Sequence, residues 1–370
     1  MSLAPRNKVL AVLTLAAIAS CLGAAFVTQA PNRLISGAPL MLWQAADFWL
    51  PLAMAIALLA LSYAKQAIAT LIIAGLGFVL IAYEAGHAGA TLMAALPPAA
   101  RIALGFGFWG PMFCLAMIVV DALQRLRARA ITRLLVALTL AAPIAAMAWA
   151  GLFDHLSIAR EYTSHRDVFG IEFARHCLLV LVAVVLALAI GAPLGLLAAR
   201  RAKAKTALFS TLNLLQTIPS VALFGLLIAP LSALGLGGIG TAPALIALVL
   251  YSLLPVARNL EAGLAGIDPA VVDAARGMGL TPRQIFWRIE LPLGMPAFLA
   301  GLRIVTVQAI GLAAVAALIG AGGLGTFIFQ GIGQYAIDLV LLGAIPTILL
   351  ALAADFALSL AAALFERTTS

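Results

Sequence analysis

Residues 268–292 read DPAVVDAARGMGLTPRQIFWRIELP. Asp268, Asp273, Arg276, Arg283, Arg288 and Glu290 make this run too charged for the interior of a bilayer, although both flanks are apolar enough to sit there. Its punctuation predicts two short helices. Asp268 is an N-cap type and Pro269 suits the first helical position. Gly279 suits a left-handed C-terminal cap. Thr281, Pro282 and Gln284 supply a cap, a first residue and a capping box for the second helix. Leu291-Pro292 is expected to end it, because proline brings no amide and restricts the residue before it. A capped, charged helical hairpin between apolar segments is an exposed docking element.

Working outward, the 370-residue chain is 64% hydrophobic and 10% charged, against about 25% charged residues in a soluble protein. Its mean hydropathy is +1.14. The expected fold class is an all-α polytopic membrane protein. A span needs about 20 apolar residues, and ten such segments can be read at 8–27, 47–63, 66–83, 102–121, 131–151, 173–199, 206–230, 241–262, 295–319 and 338–364. The first reads as a retained span. Its Ile18-Ala19-Ser20-Cys21 loosely resembles a lipoprotein cleavage box, so a cleaved signal peptide is the other reading, but the apolar run continues to Val27.

The net charge of +8 points to membrane orientation rather than to nucleic acid. With the N-terminus inside and ten spans, 16 of the 22 basic residues fall in cytoplasmic segments, including the clusters at 125–133 and 200–205. Five (Arg33, Arg101, Arg160, Arg166 and Arg175) fall outside. This places 268–292 and both termini in the cytoplasm. Cys21, Cys114 and Cys177 lie in apolar runs without metal spacing, and His87, His155, His165 and His176 are scattered. No catalytic residue and no metal site is expected.

The chain divides near residue 152. Residues 1–151 form a five-span region of open role. Residues 152–172 read as an extracytoplasmic connector, solvated or folded into a surface helix. Residues 173–370 hold five spans around the hairpin. In this half Pro193, Pro219, Pro230, Pro243, Pro255 and Pro346 fall within or at the ends of spans. Broken backbone at membrane depth is tolerated only inside protein or along a water-filled cavity. The polar residues Asn213, Gln216, Thr217, Ser220, Tyr251 and Gln308, with Pro219, therefore mark a candidate translocation path; close packing of a scaffold is the alternative. Arg303 and Asp355 sit about 12–15 Å deep at 1.5 Å per residue and are candidates for an intramembrane ion pair, within one subunit or between two. Snorkelling of Arg303 to the headgroups is the other reading.

The spacing of Asp273-Ala274-Ala275, then Gly279, then Ile289-Glu290-Leu291-Pro292 resembles the cytoplasmic loop motif of ABC-importer permeases, with Asp273 where that family has glutamate. The resemblance implies that Asp273, Ala274, Ala275, Arg276, Gly279, Ile289, Glu290, Leu291 and Pro292 couple the chain to a cytoplasmic ATPase subunit. Over about 172–366 the segments 215–223, 244–259, 275–279 and 319–325 look like the osmoprotectant branch, with an added N-terminal membrane region. That implies import of glycine betaine or a related quaternary amine, an external substrate-binding protein, and a second permease copy or a paralogue. ATP and magnesium would belong to the partner ATPase, since this chain has no phosphate-cradling loop. A permease for another small solute such as an amino acid stays open, as does a different class: a self-contained secondary transporter or osmotic channel, which would have no use for the hairpin.

Overall fold

The computed structural model describes residues 5–33, 35, 37–64 and 66–369, with side chains to residue 363. Lys65 and the side chain of Arg367, two of the basic residues counted above, lie outside the described residues. The chain forms two compact units, Met1–Ser164 and His165–Ser370.

In the first unit, α1 (Lys8–Gly23) opens on Asn7, whose side chain accepts the Leu10 amide. Strands β1 (Val27–Ala30) and β2 (Ala38–Leu40) follow, then α2 (Leu42–Ala45), α3 (Trp49–Leu61), α4 (Ala67–Met93), β3 (Arg101–Leu104), α5 (Phe106–Arg125), α6 (Ala130–Trp149) and α7 (Ser157–Ser164). Leu10, Leu58, Ile81, Leu115 and Ile118, from α1, α3, α4 and α5, meet in one apolar core. By contrast, α6 has no buried residue.

Three short strands join the helices of this unit. They form an antiparallel sheet in the order β2-β1-β3, with Val27 opposite Leu40 and Leu104. Strands of three and four residues are too short to show alternation. Glycine makes the junction possible: a Cβ on Gly105 would stand 2.1 Å from the Ala25 carbonyl oxygen. The sheet takes residues 27 and 102–104, which the sequence reading had put in spans. The segment 152–172 is largely helical, holding α7 and the start of the next helix.

The second unit begins with α8 (Arg166–Arg200), whose 35 residues extend about 52 Å, well beyond the ~30 Å hydrocarbon core. Then come α9 (Ala202–Thr217), α10 (Ser220–Ala233), α11 (Thr241–Ala265), α12 (Pro269–Gly277), α13 (Pro282–Ile285), a π-turn at Phe286–Glu290, α14 (Leu291–Val315), a 3-10 turn at Ala316–Ile319, α15 (Gly325–Gly333) and α16 (Ile337–Thr369). The core at α8, α11 and α14 is rich in alanine: Ala183, Ala187, Ala244, Ala247, Ala257 and Ala309 are fully buried. Small residues let helix backbones approach where lipid gives no hydrophobic drive between helices. A Cβ on Gly195 would stand 2.6 Å from the Ala257 carbonyl oxygen, and one on Gly263 would stand 2.7 Å from that of Gly294.

Each of the ten apolar segments holds a helix over most of its length. Among the described residues seven helices are long and apolar enough to cross a membrane, or eight if α9 and α10 count as one bent span. The other two are α1 and α3, which at 16 and 13 residues reach about 24 and 20 Å.

Candidate coupling hairpin and translocation path

The hairpin is built by its caps. Asp268 Oδ1 accepts the Ala270 amide at 2.9 Å, and Pro269 starts α12. Gly279 has φ +80°, a conformation that side chains with a Cβ resist, and its surroundings leave open space for a Cβ. Thr281 and Gln284 form the capping box of α13. Asp273 pairs with Arg276 one turn on, at 3.0 Å, and both side chains are about two-thirds exposed. Such a pair adds only a few tenths of a kcal/mol. Ala275 is fully buried, while Val271, Met278 and Trp287 are exposed. The hairpin thus shows solvent a mixed apolar and charged surface.

The expected stop at Leu291-Pro292 is absent. The chain is helical without interruption from Pro282 to Ile319. The π-turn at Phe286–Glu290 lies immediately before Pro292, at the place where the amide that proline lacks would disturb an ordinary α-helical pattern. Ile289 and Glu290 therefore lie in the π-turn, and Leu291 and Pro292 open α14. The second helix of the hairpin and the span after it are one rod.

The span expected at 206–230 is broken. Between α9 and α10 the axis turns by 100°. Proline explains it: Ile218 is extended at ψ 125°, as a residue before proline prefers, and Pro219 caps α10. Two of the candidate path residues stitch this break. Gln216 Nε2 donates to the Tyr251 carbonyl at 2.9 Å. The Tyr251 hydroxyl donates to the Ile218 carbonyl, freed by the end of α9. Thr217 Oγ1 donates to the Leu214 carbonyl at 2.7 Å, and Ser220 is the first residue of α10. Asn213 is exposed and accepts from Arg258 at 3.4 Å, whose guanidinium stands 5.2 Å from the Phe209 ring centroid. Gln308 is half-buried on α14, and among the described residues no hydrogen bond joins it to this group.

Arg303 and Asp355 are in contact within the chain. Nη2 of Arg303 reaches Oδ1 and Oδ2 at 2.8 and 3.0 Å, and Nε reaches Oδ1 at 3.0 Å, a forked geometry that ties α14 to α16. The side chains are 36% and 43% exposed, so this pair faces the outside of the chain.

Four buried acids in the two units have ion-pair partners that sequence reasoning did not supply. Glu290 pairs with Arg200, Glu261 with Lys205, Glu172 with Arg175, and Glu161 with Arg33. The signal available was weak: a glutamate just inside each leg of the hairpin and an oversupply of cations at 200–205.

Residues 191–370 match the family model described as binding-protein-dependent transport system inner membrane component. Residues 5–159 match the model described as ABC transporter permease YehY, N-terminal domain. The carnitine transport permease protein OpuCB of Listeria monocytogenes is 41% identical over 184 residues, which are 50% of this chain and 82% of that protein. The osmoprotectant import permease protein OsmW of Salmonella typhimurium is 43% identical over 184 residues, 50% of this chain and 85% of that protein. Among solved structures, a chain from the inward-facing MetNI methionine ABC transporter aligns over 50% of this chain and 91% of its own length, at 25% identity and a TM-score of 0.44.

Proposed function

We propose, from the premise that the chain belongs to the family of binding-protein-dependent ABC-importer permeases, that it imports glycine betaine or a related quaternary amine. As a member of that family it is a multi-pass inner-membrane subunit that carries no cofactor and performs no catalysis. The family depends on a separate ATPase subunit and a binding protein. The finer reading is ours. The hairpin 268–292 and both termini lie in the cytoplasm, where Asp273, Ala274, Ala275, Arg276 and Gly279 meet the ATPase. Two permease chains, identical or paralogous, enclose one path lined by the bend at Thr217–Ser220.

The observation that carries this reading is the rod from Pro282 to Ile319. A docking hairpin that continues without interruption into a span transmits force, whereas a tether would have no need of continuity. The substrate class rests on the relatives named for carnitine and osmoprotectant transport. A carrier fed by a binding protein works with a weakly binding membrane cavity, so a cation–π cage is not required within this chain.

The test is uptake of labelled glycine betaine into liposomes holding the chain, its ATPase and its binding protein. Uptake should need internal ATP and should stop when the ATPase is left out. Uptake driven by an ion gradient alone would overturn the importer reading. ATP-driven uptake of amino acids but not of betaine, choline or carnitine would overturn the substrate class.

A further inference from the structure

The cations at 200–205 do more than orient the chain. Arg200 ends α8, and Lys205 lies in the first turn of α9, so the two flank one elbow. Arg200 donates to both carboxylate oxygens of Glu290. Lys205 Nζ lies 2.7 Å from Glu261 Oε1. The two carboxylates are 8% and 9% exposed, while their cations are about half exposed. Glu261 stands near the end of α11, the leg that enters the hairpin, and Glu290 closes the π-turn, the leg that leaves it. One elbow therefore grips both legs.

An orientation signal needs positive charge alone. It does not need two buried acids placed opposite it, each of which costs several kcal/mol to desolvate without a partner. The π-turn adds to the argument, because such turns inside helices are frequent at functional sites. Downstream of the elbow, α9 runs directly to the bend at Ile218-Pro219.

We propose that Arg200 and Lys205 are positioning residues that carry a displacement of the hairpin onto α9 and so onto the bend. The axial route along the rod moves α14; the elbow supplies a second, lateral route. This rests on the reading of the hairpin as the ATPase-docking element.

The test uses the chain with Cys21, Cys114 and Cys177 replaced by serine, in liposomes with the ATPase that co-purifies with it. An environment-sensitive fluorophore is placed on a cysteine at Val271, in the hairpin, or at Leu214, in α9, both exposed. With the elbow unaltered, a non-hydrolysable ATP analogue should shift both signals. In Arg200→Gln with Lys205→Gln, the Val271 signal should keep its shift and the Leu214 signal should fall to a third or less. Arg200→Glu with Glu290→Arg, leaving Lys205 in place, should restore the Leu214 shift.

A full Leu214 shift in the double-glutamine variant would overturn the proposal. Loss of both shifts in that variant would also overturn it, by making the elbow a docking determinant. If the double-glutamine variant does not assemble, the charge swap decides: an assembled swap with a silent Leu214 overturns the proposal. A chain with an unaltered elbow and no Val271 shift would instead remove the docking reading beneath it.

Discussion

The two units solve the same problem, stability in lipid, with polar groups in different places. In Met1–Ser164 the strong polar contacts gather at the two ends of the helix bundle. At one end Asn7, Asp121 and Arg125 interlock at 2.7–3.0 Å. At the other, beside the sheet, Glu161 meets Arg33 at 3.3 Å and Arg101 at 4.0 Å. In His165–Ser370 polar contacts also occur along the helices: Gln216 and Tyr251 at the bend, Arg303 with Asp355 between α14 and α16. A polar contact at depth is costly when broken, because lipid offers no substitute. A unit that places several there has few alternative arrangements, and they differ sharply in free energy. That is the composition of a switch. The first unit keeps Glu84 buried along α4 but ties its elements together with charged pairs at the ends, and so has fewer such steps.

The sharpest way to break this contrast is at the hairpin. Gly279→Arg strains a φ of +80° and fills open space on the docking surface. It should reduce ATP-dependent uptake at least tenfold while membrane insertion and yield stay near normal, measured side by side on one preparation. Undiminished uptake would deny the hairpin its role. The next effect in size is at Arg303 and Asp355. Asp355→Asn should lower stability by about 1–3 kcal/mol, a range set between exposed and buried pairs because both side chains are more than a third exposed. Arg303→Asp combined with Asp355→Arg should regain part of it, read as the detergent melting temperature; a double variant no better than the single would deny the pair any energetic coupling. The smallest effect on transport is expected in the first unit. Glu161→Gln weakens contacts beside the sheet and should cost roughly 1–3 kcal/mol of local stability, yet leave the ratio of solute imported to ATP hydrolysed within twofold. A collapse of that ratio would show that the end contacts of the first unit do take part in the cycle.

What could be read from the chain follows from range. Caps act over three residues, so Asp268, Gly279 and the Thr281–Gln284 box were visible in the hairpin before any fold was known. Apolar length is equally local, and every apolar segment proved to hold a helix. The bend was half visible: Pro219 and the polar residues beside it were conspicuous, but the axis change and the bracing by Tyr251, 33 residues on, need three dimensions. The sheet was hidden because its strands are short and β1 pairs with β3 across more than seventy positions, from Val27 to Leu104. Arg200 and Glu290 are 90 residues apart, and no periodicity connects them. Leu291-Pro292 was misread for another reason. A proline ordinarily breaks a helix, and here a π-turn lies directly before it and the helix carries on.

One feature of the first unit bears on how the protein is made. Among the described residues none of α6 is buried, yet its mean hydropathy is 1.9 over a membrane-length window. Such a helix owes its place in the bilayer to its own transfer free energy rather than to neighbours. It has the means to enter the bilayer without any helix of the second unit, with Arg129 and Arg133 holding its first turn at the headgroups. The first unit expressed alone, residues 1–164, should carry α6 fully inserted.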